Sequence, residues 1–151
     1  MTELVFPLPT RRATRLLGGS LARTLAPSDL VILRGPLGAG KTFLVRAVCR
    51  ALGLDGSLRV TSPTFSLVHE YPSTPPVLHA DLYRLRTAGE VHALGLLEQR
   101  DEGKVLLVEW GEPYLQTLGG DALLVALDVS PRQARIVATG PISGERLAGL
   151  L

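Results

Sequence analysis

An α/β fold, a mixed sheet with helices on both faces, is the architecture this chain predicts. Three observations predict it. Two short, continuous apolar runs, Leu30–Leu33 and Val105–Val108, have the composition of strands buried on both sides. A glycine-rich loop follows the first run at once and leads into helical periodicity. Helix-period segments then alternate with strand-like ones, the order of a layered α/β domain.

Each element has its own local reason. Glu3–Leu8 reads as a short strand ended by Pro7 and Pro9. Thr10 is suited to cap a helix in which Ala13, Leu17, Leu21 and Leu25 recur every four residues with Leu16 beside them. Ala26–Asp29 is a proline-containing turn into Leu30–Leu33, and Thr42–Leu52 is helical through Leu44, Val45, Val48 and Leu52. Past Gly53–Gly56, Arg59–Tyr71 and Val77–Leu85 are strand-like around the proline-rich turn Pro72–Pro76. Thr87–Arg100 reads as one helix with Leu94, Leu97 and His92 facing inward. Ala122–Val129 and Ala134–Thr139 flank Ser130-Pro131 as a closing hairpin, and the last ten residues read as a helix.

A chain of 151 residues predicts one domain over residues 1–151, large enough to bury about 70% of its unfolded surface. With 46% apolar and 20% charged residues, it is neither disordered nor fibrous. No apolar run approaches the ~18 residues that a membrane-crossing helix needs. The opening segment carries Glu3 and no long apolar stretch, which is not a secretory signal, and the lone Cys49 forms no internal disulfide. The expected location is the cytoplasm. A net charge of +2 does not by itself argue for nucleic-acid binding. Arg11, Arg12, Arg15 and Arg23 crowd the first helix, either as a solvated face or as a docking face for RNA or an acidic partner.

The loop carries the chemistry. Gly35–Thr42 fits G-x-x-x-x-G-K-[ST], which a chain of this composition would match by chance roughly 3 times in a thousand. Glycines let the backbone curl so that successive N–H groups, among them those of Gly35, Leu37, Gly38, Ala39 and Gly40, point at phosphate oxygens in front of a helix N-terminus. Lys41 supplies a point charge for the β- and γ-phosphates and Thr42 a hydroxyl for magnesium. The fold class sharpens to a P-loop NTPase-like mixed sheet. A guanine-reading N-K-x-D element would have to come from Lys104, whose context does not fit, so ATP is the expected nucleotide.

Glu109 closes the run Val105–Val108, where the second acid of such a site sits to hold magnesium or orient water. An acid directly after a buried run needs a partner cation. Trp110 beside it packs over the nucleotide or caps the core. His79 and Asp81, two apart on a strand, share a face. A transition-metal pair there lacks further ligands, so Asp81 reads as a magnesium-shell or water-orienting acid, with His79 as its hydrogen-bond neighbour or an ordinary edge histidine. Thr61-Ser62-Pro63-Thr64 is a γ-phosphate-sensing switch segment or a plain turn, and Cys49 packs in the core.

The motifs in Gly35–Thr42, Thr61–Tyr71, His79–Leu85 and Val108–Trp110, in that order and separation, resemble the TsaE family, also called YjeE, over nearly the whole chain. The resemblance implies a small bacterial ATPase, using ATP and magnesium, that is needed to make threonylcarbamoyladenosine beside the anticodon of tRNA. It implies docking on the TsaB–TsaD pair, where TsaD transfers the threonylcarbamoyl group from an adenylate made by TsaC. ATP hydrolysis would reset that complex, and tRNA would be met only through it. By position it also implies that Lys41 and Thr42 hold phosphates and magnesium, that Glu109 is the Walker B acid, and that Asp81 lies near the nucleotide. Ser62–Thr64 is then switch-like, Arg132 reaches the nucleotide from the last hairpin, and Pro9–Arg12 approaches the adenine through main chain at Arg11. Pro36, the turn Ala26–Ser28 and Pro131 depart from the family's usual residues, none at a phosphate-contacting type. Two other readings compete: a small-molecule kinase, for which the chain has no lid-like insertion after Glu109, and a non-catalytic adaptor gated by nucleotide.

Overall fold

In the computed structural model, which describes residues 2–151, the chain runs β1 (Leu4–Pro7), α1 (Arg11–Thr24), β2 (Leu30–Arg34), α2 (Lys41–Ala51), β3 (Val68–Tyr71) and β4 (Val77–Asp81). It continues with α3 (Ala88–Ala93), α4 (Leu96–Asp101), β5 (Val105–Glu109), β6 (Leu123–Val129), β7 (Arg132–Ala138) and α5 (Pro141–Ala148). The strands form one mixed sheet in the order β1-β7-β6-β2-β5-β4-β3. Its centre is parallel, β6 with β2, β2 with β5 and β5 with β4, while β1, β7 and β3 pair antiparallel at the flanks.

Both sides of this sheet are covered, which explains the uninterrupted apolar runs. On β2, Val31 and Leu33 pack toward α1, α2 and α5 with Leu21, Leu44, Val48 and Leu147. Leu30 and Ile32 face the opposite way, toward Val91 of α3 and Leu96 of α4. A strand with two buried faces has no polar alternation to show. Thr10 caps α1 as its sequence position predicts, its side chain accepting from Ala13 N at 3.1 Å.

Helices α1 and α2 meet at a glycine. A Cβ on Gly18 would come within 2.5 Å of Ala47 Cβ and 3.1 Å of the α2 backbone. Gly18→Val is expected to overpack this crossing and cost about 1–3 kcal/mol, a fall in Tm of about 2–12 °C for a chain of this size. An unchanged thermal melt would show that the two helices can separate without loss.

Cys49 lies in the core under α2, and burial pushes its thiol up to about 12. The folded protein is therefore expected to resist a thiol reagent at pH 8, because only the thiolate reacts. Titration should give no labelling in native buffer and one thiol per chain in denaturant; fast native labelling would contradict the packing.

Three elements differ from the sequence reading. The helix expected over Thr87–Arg100 is broken at Gly95, which takes φ +73 and resets the helical phase between α3 and α4. Val91 and Leu96 are the buried residues, Leu94 packs partly buried against the same core as expected, Leu97 is half-buried, and His92 is exposed. The strand expected over Arg59–Tyr71 forms only from Val68. Residues 59–67 are loop, pinned where Tyr71 Oη accepts from Thr61 N at 3.2 Å and donates to Thr61 O at 3.3 Å. The strand expected to reach Leu85 stops at Asp81, after which Leu85 N turns back onto Leu82 O.

Candidate nucleotide site

The site grows from the carboxyl ends of β2, β5 and β4, which lie side by side. In register, Leu33 of β2 is level with Glu109, and Glu109 with Asp81. The loop leaving β2 therefore faces two acids from its neighbouring strands, as ligand sites in open α/β sheets do.

The loop itself requires glycine. A Cβ on Gly35 would strike the Leu127 carbonyl of β6 at 2.6 Å. Gly40 takes φ +101 and opens α2 with no side-chain cap, so the first amides of an 11-residue helix face the loop. The Ala39 N–H is already used, donating to Pro36 O at 3.0 Å. Lys41 is buried; its ammonium donates to the carbonyls of Gly35 and Pro36 and lies 5.2 Å from the centre of the Trp110 ring.

Trp110 does not cap the core. It stands 42% exposed with its ring 5.0 Å from that of Tyr83. Its φ of +60 is unusual for a bulky residue and ends β5, aiming the indole over Lys41.

Two hollows meet at the loop. The larger, about 690 Å³, is lined by Leu37, Lys41, Thr42, Asp81, Glu109 and Trp110, with Ser62, Thr64 and Tyr83 at its rim. The smaller, about 400 Å³, lies beyond Gly38–Gly40 and is lined by Pro9, Arg11, Thr14, Phe43, Asp128 and Arg132. Arg11 and Arg132 come together because β1 pairs with β7, Pro7 opposite Gln133. Beside them the Asp128 carboxyl is held down at about 2 by its bond to the Arg135 guanidinium at 2.8 Å and by Gln133 at 2.9 Å. Of the residues singled out for nucleotide and magnesium, Leu37–Thr42, Asp81, Glu109 and Trp110 line the larger hollow, Gly38–Gly40, Arg11 and Arg132 line the smaller, and Gly35 lines neither. Phe43 and Asp128 are additions that no sequence motif marked, and Tyr83, inside the His79–Leu85 motif, has no role in the sequence reading.

One expectation is corrected. His79 is neither an edge residue nor the neighbour of Asp81: it is fully buried, and its Nε2 donates to Glu109 Oε2 at 2.6 Å. Asp81 instead accepts the Tyr83 N–H through Oδ1 at 3.0 Å. His79 is thus the side chain that Glu109 meets inside the protein. Among the described residues no group of three or more His, Cys, Asp and Glu side chains could hold a metal ion. The donors here, two carboxylates and the Thr42 hydroxyl, are hard oxygens, the chemistry of a magnesium ion that completes its shell with phosphate and water.

Residues 8–137 match the family described as threonylcarbamoyl adenosine biosynthesis protein TsaE. The chain belongs to the TsaE family. A TsaE from Mycobacterium tuberculosis is 38% identical over 139 residues, covering 85% of this chain and 82% of the relative. One from Streptomyces coelicolor is 42% identical over 118 residues, covering 76% and 78%. Both are named tRNA threonylcarbamoyladenosine biosynthesis proteins. The crystal structure of Bacillus subtilis YdiB superposes with a TM-score of 0.80 at 25% identity, covering 99% of this chain and 94% of that one. As a member of the TsaE family, the chain is a P-loop nucleotide-binding protein of tRNA threonylcarbamoyladenosine biosynthesis. No helix among the described residues is long and apolar enough to cross a membrane.

Proposed function

We propose that this protein binds ATP with magnesium, hydrolyses it, and acts in the cytoplasm on the TsaB–TsaD pair, meeting tRNA through that complex. The observation that carries the reading is the convergence of Lys41 and Thr42 with Asp81 and Glu109 where β2, β5 and β4 end. The free amides of the loop and the Lys41 ammonium would cradle the β- and γ-phosphates. Ala39 contributes as a wall of the cradle, since its N–H closes the loop. Thr42 and Glu109 would hold magnesium, which supplies charge neutralisation for the transferring phosphoryl group. Asp81, with Oδ2 left over after the Tyr83 bond, would orient the attacking water. Trp110 would pack beside the phosphates, and the smaller hollow, with Arg11 and Arg132, would take the nucleoside.

The kinase reading is disfavoured by the path after Glu109: a short 3₁₀ turn at Glu112–Tyr114 leads on to β6 without a lid. Hydrolysis by the purified chain, alone and with TsaB–TsaD in magnesium, tests the proposal. A large rise with the pair is expected. No rise, and no complex on a sizing column with ATP, would defeat the partner assignment. Labelled γ-phosphate appearing on a metabolite would install the kinase. Threonylcarbamoylation that consumes no ATP at this protein, with docking unaffected by Glu109→Ala, would leave the adaptor.

A further inference from the structure

We propose that His79 is a positioning residue: it holds one oxygen of Glu109 so that the other is fixed toward the cleft. The inference rests on the reading that Glu109 serves hydrolysis.

His79 lies level with Leu107 on the adjacent parallel strand, so Glu109 is its diagonal neighbour on the same sheet face. The ring reaches Glu109 Oε2 at 2.6 Å, and the two side chains are 0% and 4% exposed. Because a carboxylate only accepts, Nε2 carries the proton, which assigns the tautomer from the bond itself. Nδ1 is sealed in the interior with no partner. A lone pair there is less costly than an unpaired N–H, so the ring is the Nε2–H form. Glu109 Oε1 makes no hydrogen bond within the described residues and is not among the sealed, unpartnered atoms, while Glu109 lines the larger cleft. The histidine thus takes one oxygen and leaves the other facing the loop.

A structural role alone does not explain this residue. On its face of the sheet the interior is filled by Val77, Val105 and Leu107, and an aliphatic side chain would leave no orphaned ring nitrogen. What histidine adds is a rigid donor that fixes a side chain with three rotatable bonds, as outer-shell partners fix the ligands they touch.

The test compares wild type with His79→Leu, His79→Gln, Glu109→Gln and the double variant His79→Leu/Glu109→Gln. Measured quantities are kcat and KM for ATP with TsaB–TsaD, affinity for a fluorescent ATP analogue in magnesium, and Tm. His79→Leu is expected to lower kcat about 10- to 100-fold while nucleotide affinity stays within about threefold. His79→Gln, whose amide nitrogen can stand near the Nε2 position, is expected to recover most of that loss. The double variant should be no slower than Glu109→Gln, because the histidine acts only through the glutamate. Independently of activity, long-range ¹H–¹⁵N spectra of the wild type should show His79 as the Nε2–H tautomer. Wild-type kcat in His79→Leu, additive losses in the double variant, or the Nδ1–H tautomer would each overturn the proposal. A wild type that hydrolyses no ATP even with its partners overturns the underlying reading and this inference with it. A wild type that hydrolyses beside an unimpaired His79→Leu overturns the inference alone. If His79→Leu fails to fold, His79→Gln and the spectra still decide.

Discussion

Glu109→Gln is expected to lose hydrolysis by about 10²- to 10³-fold while melting no lower than the parent protein. Glu109 is almost wholly buried, and the His79 ring is its one side-chain hydrogen-bond partner among the described residues. A carboxylate so placed has given up water without a full counter-charge, and the isosteric amide removes that burden. The amide oxygen still accepts from His79 Nε2, so the interior remains satisfied. Glu109→Ala should behave differently. It strands the Nε2 donor beside an already orphaned Nδ1, and a buried donor without a partner costs about 1–3 kcal/mol. Both variants are therefore inactive, but only the alanine is destabilised. A retained carboxylate whose replacement leaves stability intact and activity gone is what a functional acid looks like. Parallel melting curves and turnover assays read both quantities. Loss of stability in Glu109→Gln would make the acid a structural one.

Those parts of the site that depend on local sequence were legible before the structure was. The two apolar runs become β2 and β5 because burial on both faces leaves a compositional mark, and the loop between β2 and α2 carries glycine where a Cβ would clash, at Gly35, or where φ is positive, at Gly38 and Gly40. Where pairing between distant segments decides, the sequence is silent. Alternation along β4 puts His79 and Asp81 on one face, but which acid the histidine meets depends on the register of β4 against β5, thirty residues on. Arg11 and Arg132 share a hollow only because the first strand returns beside the last hairpin. A motif resemblance suggested that meeting; no local pattern did. The break at Gly95 is of the same kind. A continuous helix satisfies the spacing of Thr87–Arg100 equally well, and the left-handed glycine is selected because it lets Val91 and Leu96 reach one core together. Loop residues 59–67 have strand-like composition, yet pairing with β4 begins only at Val68, because Leu67 turns through φ +71 just before it.

Lys41→Ala is expected to weaken ATP binding about 10- to 150-fold, the value of one charge-assisted hydrogen bond of about 1.5–3 kcal/mol. Turnover should fall further, by about 10²- to 10³-fold, because the charge acts most strongly on the phosphoryl group in transit. The side chain is buried and donates only to two loop carbonyls, Gly35 and Pro36, so the sheet and both cores are untouched by its removal. A near-native Tm is therefore expected, which separates a binding defect from a folding one. Lys41→Arg should recover little. A planar guanidinium is broader than an ammonium and cannot take the same place between the loop carbonyls and the Trp110 ring. That ring supplies the readout. Trp110 is the chain's single tryptophan and lies 5.2 Å from the Lys41 ammonium. Its emission should shift as ATP and magnesium are added to the wild type and move little in Lys41→Ala at the same concentrations. Unchanged affinity and turnover in Lys41→Ala would detach the loop from phosphate binding and with it the whole assignment of the cleft.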